Sequence, residues 1–265
     1  MTDFLIETPS GPVSGSQIGN GPCLVLVAGL GASRKLWGEL PALLAKDHCV
    51  VTLDNRGIGG SREGEPFTAE GAVEDIRSVL DHLGHEKSVL LGASLGGLIA
   101  FRTALAHPDR ISRMVIASTA ARMTTHGRRS IGLLRDMLKF FPGEVFGQSL
   151  MTLGFGPSFH RRLPGFVDQA AQLYGLDPLD IPGALAQAEH MLKGWDDRKE
   201  LRSLQIPALV LAGQRDAVVA WEDTREIAEA LPNAEFIAAP EAGHSVLAEA
   251  GKDVFDRVIE FLKYS

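Results

Sequence analysis

Much of what marks a specialised chain is missing here. The 265 residues include two cysteines, two tyrosines and three tryptophans, and aromatic residues make up 6% of the whole. Cys23 and Cys49 each open an apolar run. Two cysteines do not make a disulfide framework, so buried thiols in a reducing cytoplasm are expected. No run approaches the ~18 consecutive apolar residues of a membrane helix, so no membrane partner is expected. The opening MTDFLIETPSG has neither a positive segment nor a long apolar stretch, and no signal peptide is expected there. Positive charge is sparse: 26 Lys and Arg against 33 Asp and Glu leave a net charge of −7. No basic block exceeds a pair such as Arg128–Arg129 or Arg161–Arg162, which argues against a nucleic-acid partner. Internal repeats and low-complexity segments are also missing. What remains is 45% hydrophobic and 22% charged, enough for a globular chain with a sizeable core.

What is present is an alternation of short apolar runs with helical patterns. FLIE and PVSGSQI read as two strands joined by a hairpin turn at TPSG. CLVLVAG, HCVVTLD, SVLLG and RMVIAST read as buried strands. Between them lie RKLWGELPALLAK, with a break expected at Pro41, then AEGAVEDIRSVLDHLG, stopped by Gly84, and LGGLIAFRTALAHP. The alternation then halts. Residues 122–195 carry several helical patterns and no convincing strand, and hold six of the twelve phenylalanines and four of the six methionines. It resumes with PALVLAG, WEDTREIAEAL, AEFIAA and DVFDRVIEFLKY.

This pattern predicts an α/β fold: a mostly parallel central sheet with helices on both faces. The economical division is a core of residues 1–121 and 196–265 with a helical cap, residues 122–195, inserted after the sixth strand. Such an insertion would sit over the carboxyl edge of the sheet, where open α/β sheets bind ligands. Apolar faces of capping helices mostly pack on one another. Taken together, some of Met123, Phe140, Phe146, Phe155, Phe159 and Met191 are expected to line a pocket roof.

Gly92-Ala93-Ser94-Leu95-Gly96 falls between a buried strand and a helix. Serine there is either a helix N-cap or a nucleophile. A sharp strand-to-helix turn would push Ser94 beyond the sheet edge, with glycines where a Cβ would clash. The Leu95 N–H and the helix N-terminus would then face a developing oxyanion. A serine hydroxyl also needs a base, and the base an orienting acid. Of eight histidines, His244 alone follows a predicted strand on a loop able to cover the same edge. Asp216 lies just past the PALVLAG strand. The order Ser94, Asp216, His244 is that of α/β-hydrolases.

The chain resembles the α/β-hydrolase fold superfamily over nearly its full length. VAGLG, LDNRGIGGS, GASLGG, WDDRKELRSLQIPALVLAGQRD and the GH before the last helix carry the resemblance, in the family's order. Within it the chain looks most like small capped esterases and lactonases, including the 3-oxoadipate enol-lactonase group. The resemblance implies Ser94 as nucleophile, His244 as general base and acid, and Asp216 as orienting acid. It also implies an oxyanion hole from the N–H groups of Leu30 and Leu95. Where many members have His-Gly, this chain has Ala28-Gly29. The apolar inserted segment and the absence of a basic patch predict a small or medium apolar acyl or cyclic substrate, an ester or lactone, cleaved with no metal or organic cofactor.

Other readings have less behind them. VAGLGASR with Asp54 downstream resembles a dinucleotide fingerprint, but Arg34 replaces the third small residue and Pro41 spoils the helix. His82 and His85 lack a third metal ligand. Dehalogenases and epoxide hydrolases of this fold place aspartate at the elbow, where this chain has Ser94. Carbon–carbon bond hydrolases, cofactor-free perhydrolases, hydroxynitrile lyases and a non-catalytic ligand receptor remain open on the same triad.

Overall fold

The computed structural model describes residues 1–141, 143–173 and 176–263. Eight strands form one sheet: β1 (Thr2–Thr8), β2 (Gly11–Ile18), β3 (Cys23–Val27), β4 (Cys49–Leu53), β5 (Ser88–Ala93), β6 (Ile111–Ala117), β7 (Ala208–Gly213) and β8 (Ala234–Ala239). Their spatial order is β1-β2-β4-β3-β5-β6-β7-β8. The β1–β2 hairpin pairs antiparallel, and β2 runs antiparallel to β4; every later pairing is parallel. All six parallel strands therefore end at one edge, and the loops after Val27, Leu53, Ala93, Ala117, Gly213 and Ala239 meet there.

The helices are α1 (Leu40–Leu44), α2 (Ala69–His82), α3 (Leu95–Ala106), α4 (Thr125–Phe140), α5 (Gly143–Gly154), α6 (Pro157–Arg162), α7 (Pro164–Leu173), α8 (Ile181–Leu192), α9 (Arg198–Leu201), α10 (Trp221–Ala230), α11 (Val246–Glu249) and α12 (Lys252–Lys263). The unbroken apolar strands reflect burial on both faces. In β3, Val25 and Val27 face the core containing Ile76 of α2 and Leu98 of α3, while Leu24 and Leu26 face the core containing Leu44 of α1 and Phe261 of α12. Local signals act where the sequence places them. Thr68 Oγ1 caps α2 by accepting the Gly71 N–H at 2.9 Å, and Gly84 leaves that helix at φ +75°. The segment around Pro41 departs from a single helix. It divides into a 3₁₀ turn, Arg34–Trp37, and the short α1, which has proline in its first turn. Proline starts a helix without loss because its missing N–H would be unpaired there.

Helices α4 to α8 lie between β6 and β7. The chain enters and leaves this insertion side by side. Arg122 bridges Asp196, Met123 N donates to Trp195 O at 2.9 Å, and Asp197 N donates to Ala121 O at 2.9 Å. The insertion docks on the core through α8, where Gly183 lies against Gly57. A Cβ on either would run into the other's backbone. Gln187 is fully buried at this junction. Its Oε1 accepts the Gly31 N–H at 2.9 Å, and its Nε2 donates to Arg56 O at 3.1 Å.

Candidate active site

The turn from β5 into α3 carries Ser94 at φ 55°, ψ −120°, one of two non-glycine residues with positive φ among those described. Such a conformation is uncommon for a residue with a side chain and persists where the surroundings enforce it. They do so here. A Cβ on Gly92 would overlap the Gly96 carbonyl, and one on Gly96 would overlap the Val27 carbonyl. The Ser94 N–H is tied to Ala117 O of β6 at 2.8 Å. Although Ser94 occupies the N-cap position of α3, its side chain makes no capping hydrogen bond. The hydroxyl is thus not spent on the helix.

Asp216 follows β7, and both of its oxygens are occupied. Oδ1 accepts the N–H groups of Val218 at 2.7 Å and Val219 at 2.9 Å, which fixes the carboxylate plane. Oδ2 lies 2.8 Å from His244 Nδ1. With Nδ1–H donating to that oxygen, Nε2 keeps its lone pair. Burial works against the charged imidazole. The charge and hydrogen bond of Asp216, with the Glu249 charge behind them, outweigh it and hold His244 above the usual histidine value. Three other histidines serve the framework: His48 Nε2 meets Leu262 O, His107 pairs with Glu74, and His190 accepts the Ala69 N–H.

The Leu95 N–H opens α3 and has no intrahelical partner, as the first turn of any helix requires. Leu30 follows β3 in a loop held from three sides. Asn55 Nδ2 donates to Ala28 O at 2.8 Å, Gln187 accepts from Gly31 N, and Asp54 Oδ1 accepts from Arg34 N at 2.7 Å. Neither Leu30 N nor Leu95 N has a hydrogen bond among the described residues. Gly29 precedes Leu30, and a Cβ on it would lie 3.3 Å from the Ser94 Cβ. Serine and both N–H groups thus occupy one corner of the sheet edge.

A pocket opens beside Ser94. Its walls are Thr119 and Ala120 after β6, Val218 and Val219 after Asp216, and Met123, Ile131, Met191 and Trp195 from the insertion and its base. Arg122 and Asp223 stand at it too. Arg122 is spent on Glu226 through two bonds of 2.9 and 2.8 Å, and Asp223 accepts the Thr124 hydroxyl at 2.8 Å. Of the six residues expected in the roof, Met123 and Met191 line this pocket. Phe140 does not, being 76% exposed at the end of α4. Phe146 is buried in the main core, and Phe155 and Phe159 stack at 4.8 Å in a separate cluster with Met151 and Val167. Phe155 and Phe159 are used to pack the insertion on itself. Thr119, Val218 and Val219 carry the better signal, because they lie in the loops that follow strand ends. Gln187 and Asn55 gave none, since a buried amide has no local pattern.

Among the described residues no group of three or more His, Cys, Asp and Glu could hold a metal ion, and no helix is long and apolar enough to cross a membrane.

The family model described as the alpha/beta hydrolase fold matches residues 22–250. Among curated proteins, the chain is 27% identical over 231 residues to "Putative carbamate hydrolase RutD" of Pseudomonas savastanoi pv. phaseolicola, covering 86% of this chain and 89% of that one. Among solved structures it is similar to a thermophilic esterase from Thermogutta terrifontis, at TM-score 0.86 and 26% identity, covering 99% of this chain and 98% of that one. The enol-lactonase from Burkholderia xenovorans LB400 superposes at TM-score 0.87 with 24% identity, over 98% of this chain and 99% of that one, a likeness of fold.

Proposed function

The chain belongs to the α/β-hydrolase fold family, and from that premise we propose that it is a serine hydrolase cleaving a small, uncharged carboxylic ester or lactone through an acyl-enzyme on Ser94. The observation that carries this reading is the His244 Nδ1–Asp216 Oδ2 pair, 2.8 Å long, at the same sheet edge as a Ser94 held at positive φ and not engaged in capping. An imidazole fixed in that tautomer can accept the serine proton as Oγ attacks a carbonyl. Negative charge grows on the carbonyl oxygen, and in this reading the Leu30 and Leu95 N–H groups receive it. The tetrahedral species collapses as His244 returns the proton to the leaving alcohol oxygen. In a lactone that oxygen stays attached to the acyl group. Water deprotonated by His244 then attacks the acyl-enzyme and releases the acid and Ser94.

The substrate class is argued from the pocket. Its insertion side carries Met123, Ile131, Met191 and Trp195 beside Gly127 and Thr124, whose hydroxyl is given to Asp223, and its one guanidinium, Arg122, is already neutralised by Glu226. An anionic substrate would have to break that bidentate pair. The esterase and carbamate hydrolase similarities support acyl transfer to water. A carbamate presents the same carbonyl geometry and belongs in any substrate panel.

The test is to label the protein with a fluorophosphonate and map the adduct by mass spectrometry, then to run Ser94→Ala on esters, lactones, thioesters and carbamates. The expected adduct is on Ser94, and the substitution should lower kcat by about four orders of magnitude or more. An adduct elsewhere, or wild-type turnover by Ser94→Ala, would refute the proposal.

A further inference from the structure

The loop that carries His244 leans on the insertion as much as on the sheet. Ser245 N donates to Gly154 O at 2.8 Å. Gly243 approaches the insertion so closely that a Cβ on it would lie 2.6 Å from Gly156 N and 2.9 Å from Gly154 O. From the core side, the Arg215 N–H reaches Ala242 O at 2.9 Å. Between Gly243 and Gly156 stands Glu249, the last residue of α11 and only 6% exposed. Its two oxygens divide the work: Oε2 accepts the Gly156 N–H at 2.7 Å, and Oε1 accepts the Gly243 N–H at 2.9 Å.

Taking a carboxylate out of water is costly unless strong partners replace the hydration. Here the partners are two backbone N–H groups from two separate parts of the fold, and one is adjacent to His244. A fully apolar contact could join the two segments at no such cost. It could not orient both amides, because each would then be buried without an acceptor. A glutamine could satisfy one glycine through its oxygen but would turn its own NH₂ toward the other. An aspartate is one methylene too short to keep both bonds from the same backbone position.

We propose that Glu249 is a positioning residue for the reaction of the preceding section: a buried carboxylate that fastens the His244 loop to the insertion, so that the seating of the helices over the site sets the aim of the catalytic imidazole. The inference rests on the Ser94–Asp216–His244 reading for its catalytic meaning and on the two glycine bonds for its geometry.

The charges facing this group are few. Asp216 and His244 lie on the core side, and His160 of α6 faces it from the insertion. Glu241 of the same loop is turned outward to Ser158 Oγ, at 2.6 Å, and Arg215. Burial pushes the Glu249 carboxyl above the usual carboxylate range, against the pull of the two N–H donors. Its charge in turn favours the protonated form of His244.

The experiment has two parts. In Glu249→Gln, kcat for a p-nitrophenyl ester should fall by about tenfold to a hundredfold with KM nearly unchanged, because a catalytic group is misaimed and not lost. In the same variant the His244 imidazole, followed by NMR, should titrate at lower pH than in the wild type. A lowered melting temperature with kcat and the His244 titration both unchanged would overturn the proposal. The second part uses the wild-type protein and does not depend on the variant folding. The amide protons of Gly156 and Gly243 should titrate together, with one midpoint above the usual carboxylate range, as partners of one carboxylate must. Separate midpoints, or none, would overturn it. If Ser94→Ala kept wild-type turnover while the two glycines titrated together, the hydrolase reading would fail and the clamp would stand.

Discussion

Gln187, wholly buried on α8, accepts the Gly31 N–H at 2.9 Å, one residue beyond the Leu30 whose own N–H we assign to the oxyanion. The same carboxamide donates to Arg56 O at 3.1 Å, so one side chain of the insertion pins two core loops. Gln187→Leu keeps the volume roughly constant and strands both groups. Each buried polar group left unpaired costs about 1–3 kcal/mol, so thermal unfolding should shift down measurably. The freed Gly31 amide also loosens Leu30. We expect kcat to fall about tenfold to a hundredfold with little change in KM, and affinity for a boronic-acid transition-state analogue to fall in parallel. Steady-state kinetics and inhibitor titration check both. Analogue affinity unchanged in a folded variant would separate Gln187 from the oxyanion hole.

The pH dependence follows from the charges around His244. In the proposed mechanism the imidazole must be neutral to accept the Ser94 proton. Although burial disfavours its charged form, Asp216 and Glu249 hold its pKa above the usual histidine value. Activity is therefore present above that raised pKa and lost as pH falls through it. The acid limb of kcat/KM, which reports the free enzyme, should lie above the limb of an unperturbed histidine. Asp216→Asn should move the limb to lower pH and also cut the plateau by about 10⁴-fold, because the imidazole loses its fixed tautomer. An acid limb at or below the usual histidine pKa would contradict this electrostatic account.

Much of the framework could be read from residue order, because its signals are local. Five-residue apolar runs, Thr68 before α2, Gly84 after it and the glycines around Ser94 each act within a few positions of themselves. Ser94, Asp216 and His244 carry the same kind of local signal, since each lies in the turn or loop that follows a strand. What escaped is what depends on distant partners. Gln187 meets Gly31 across 156 positions and Glu249 meets Gly156 across 93, and nothing near either residue announces the contact. The phenylalanines expected in the roof lie elsewhere for a related reason. An apolar helical face looks the same whether it covers a cavity or another helix, so Phe155 and Phe159 read as lining when they pack on each other. Phe140, fully apolar yet 76% exposed, carries no sequence signal for its exposure.

The docking of α8 gives a structural prediction free of any catalytic assumption. Gly183 and Gly57 meet backbone to backbone, and Gly57 is also at φ +88°. In Gly183→Ala the added methyl points at the Gly57 carbonyl, which cannot move without shifting the loop that holds Asn55 and Arg56. Overpacking of this kind costs about 1–3 kcal/mol. The expected result is a lower melting temperature and faster amide exchange in α8, measured by hydrogen–deuterium exchange. Alanine has the higher helix propensity, so a stabilised variant would mean that the glycine contact is not limiting.

Met191 offers a test of which end of the pocket takes the acyl group. It is 6% exposed on α8 and lines the pocket beside Ser94 together with Ile131 and Trp195. Met191→Ala removes three heavy atoms from that wall. A cavity there costs stability, about 2–5 kcal/mol if the site does not collapse, and a longer acyl chain would refill it. The variant should therefore gain on hexanoate relative to acetate esters, by about tenfold or more in the ratio of kcat/KM, since one or more methylenes in an apolar pocket are worth about 1–3 kcal/mol. Varying the alcohol at constant acyl group should leave its preference unchanged. If the alcohol series shifts and the acyl series does not, the leaving group occupies the Met191 side and the acyl chain lies toward Val218 and Val219.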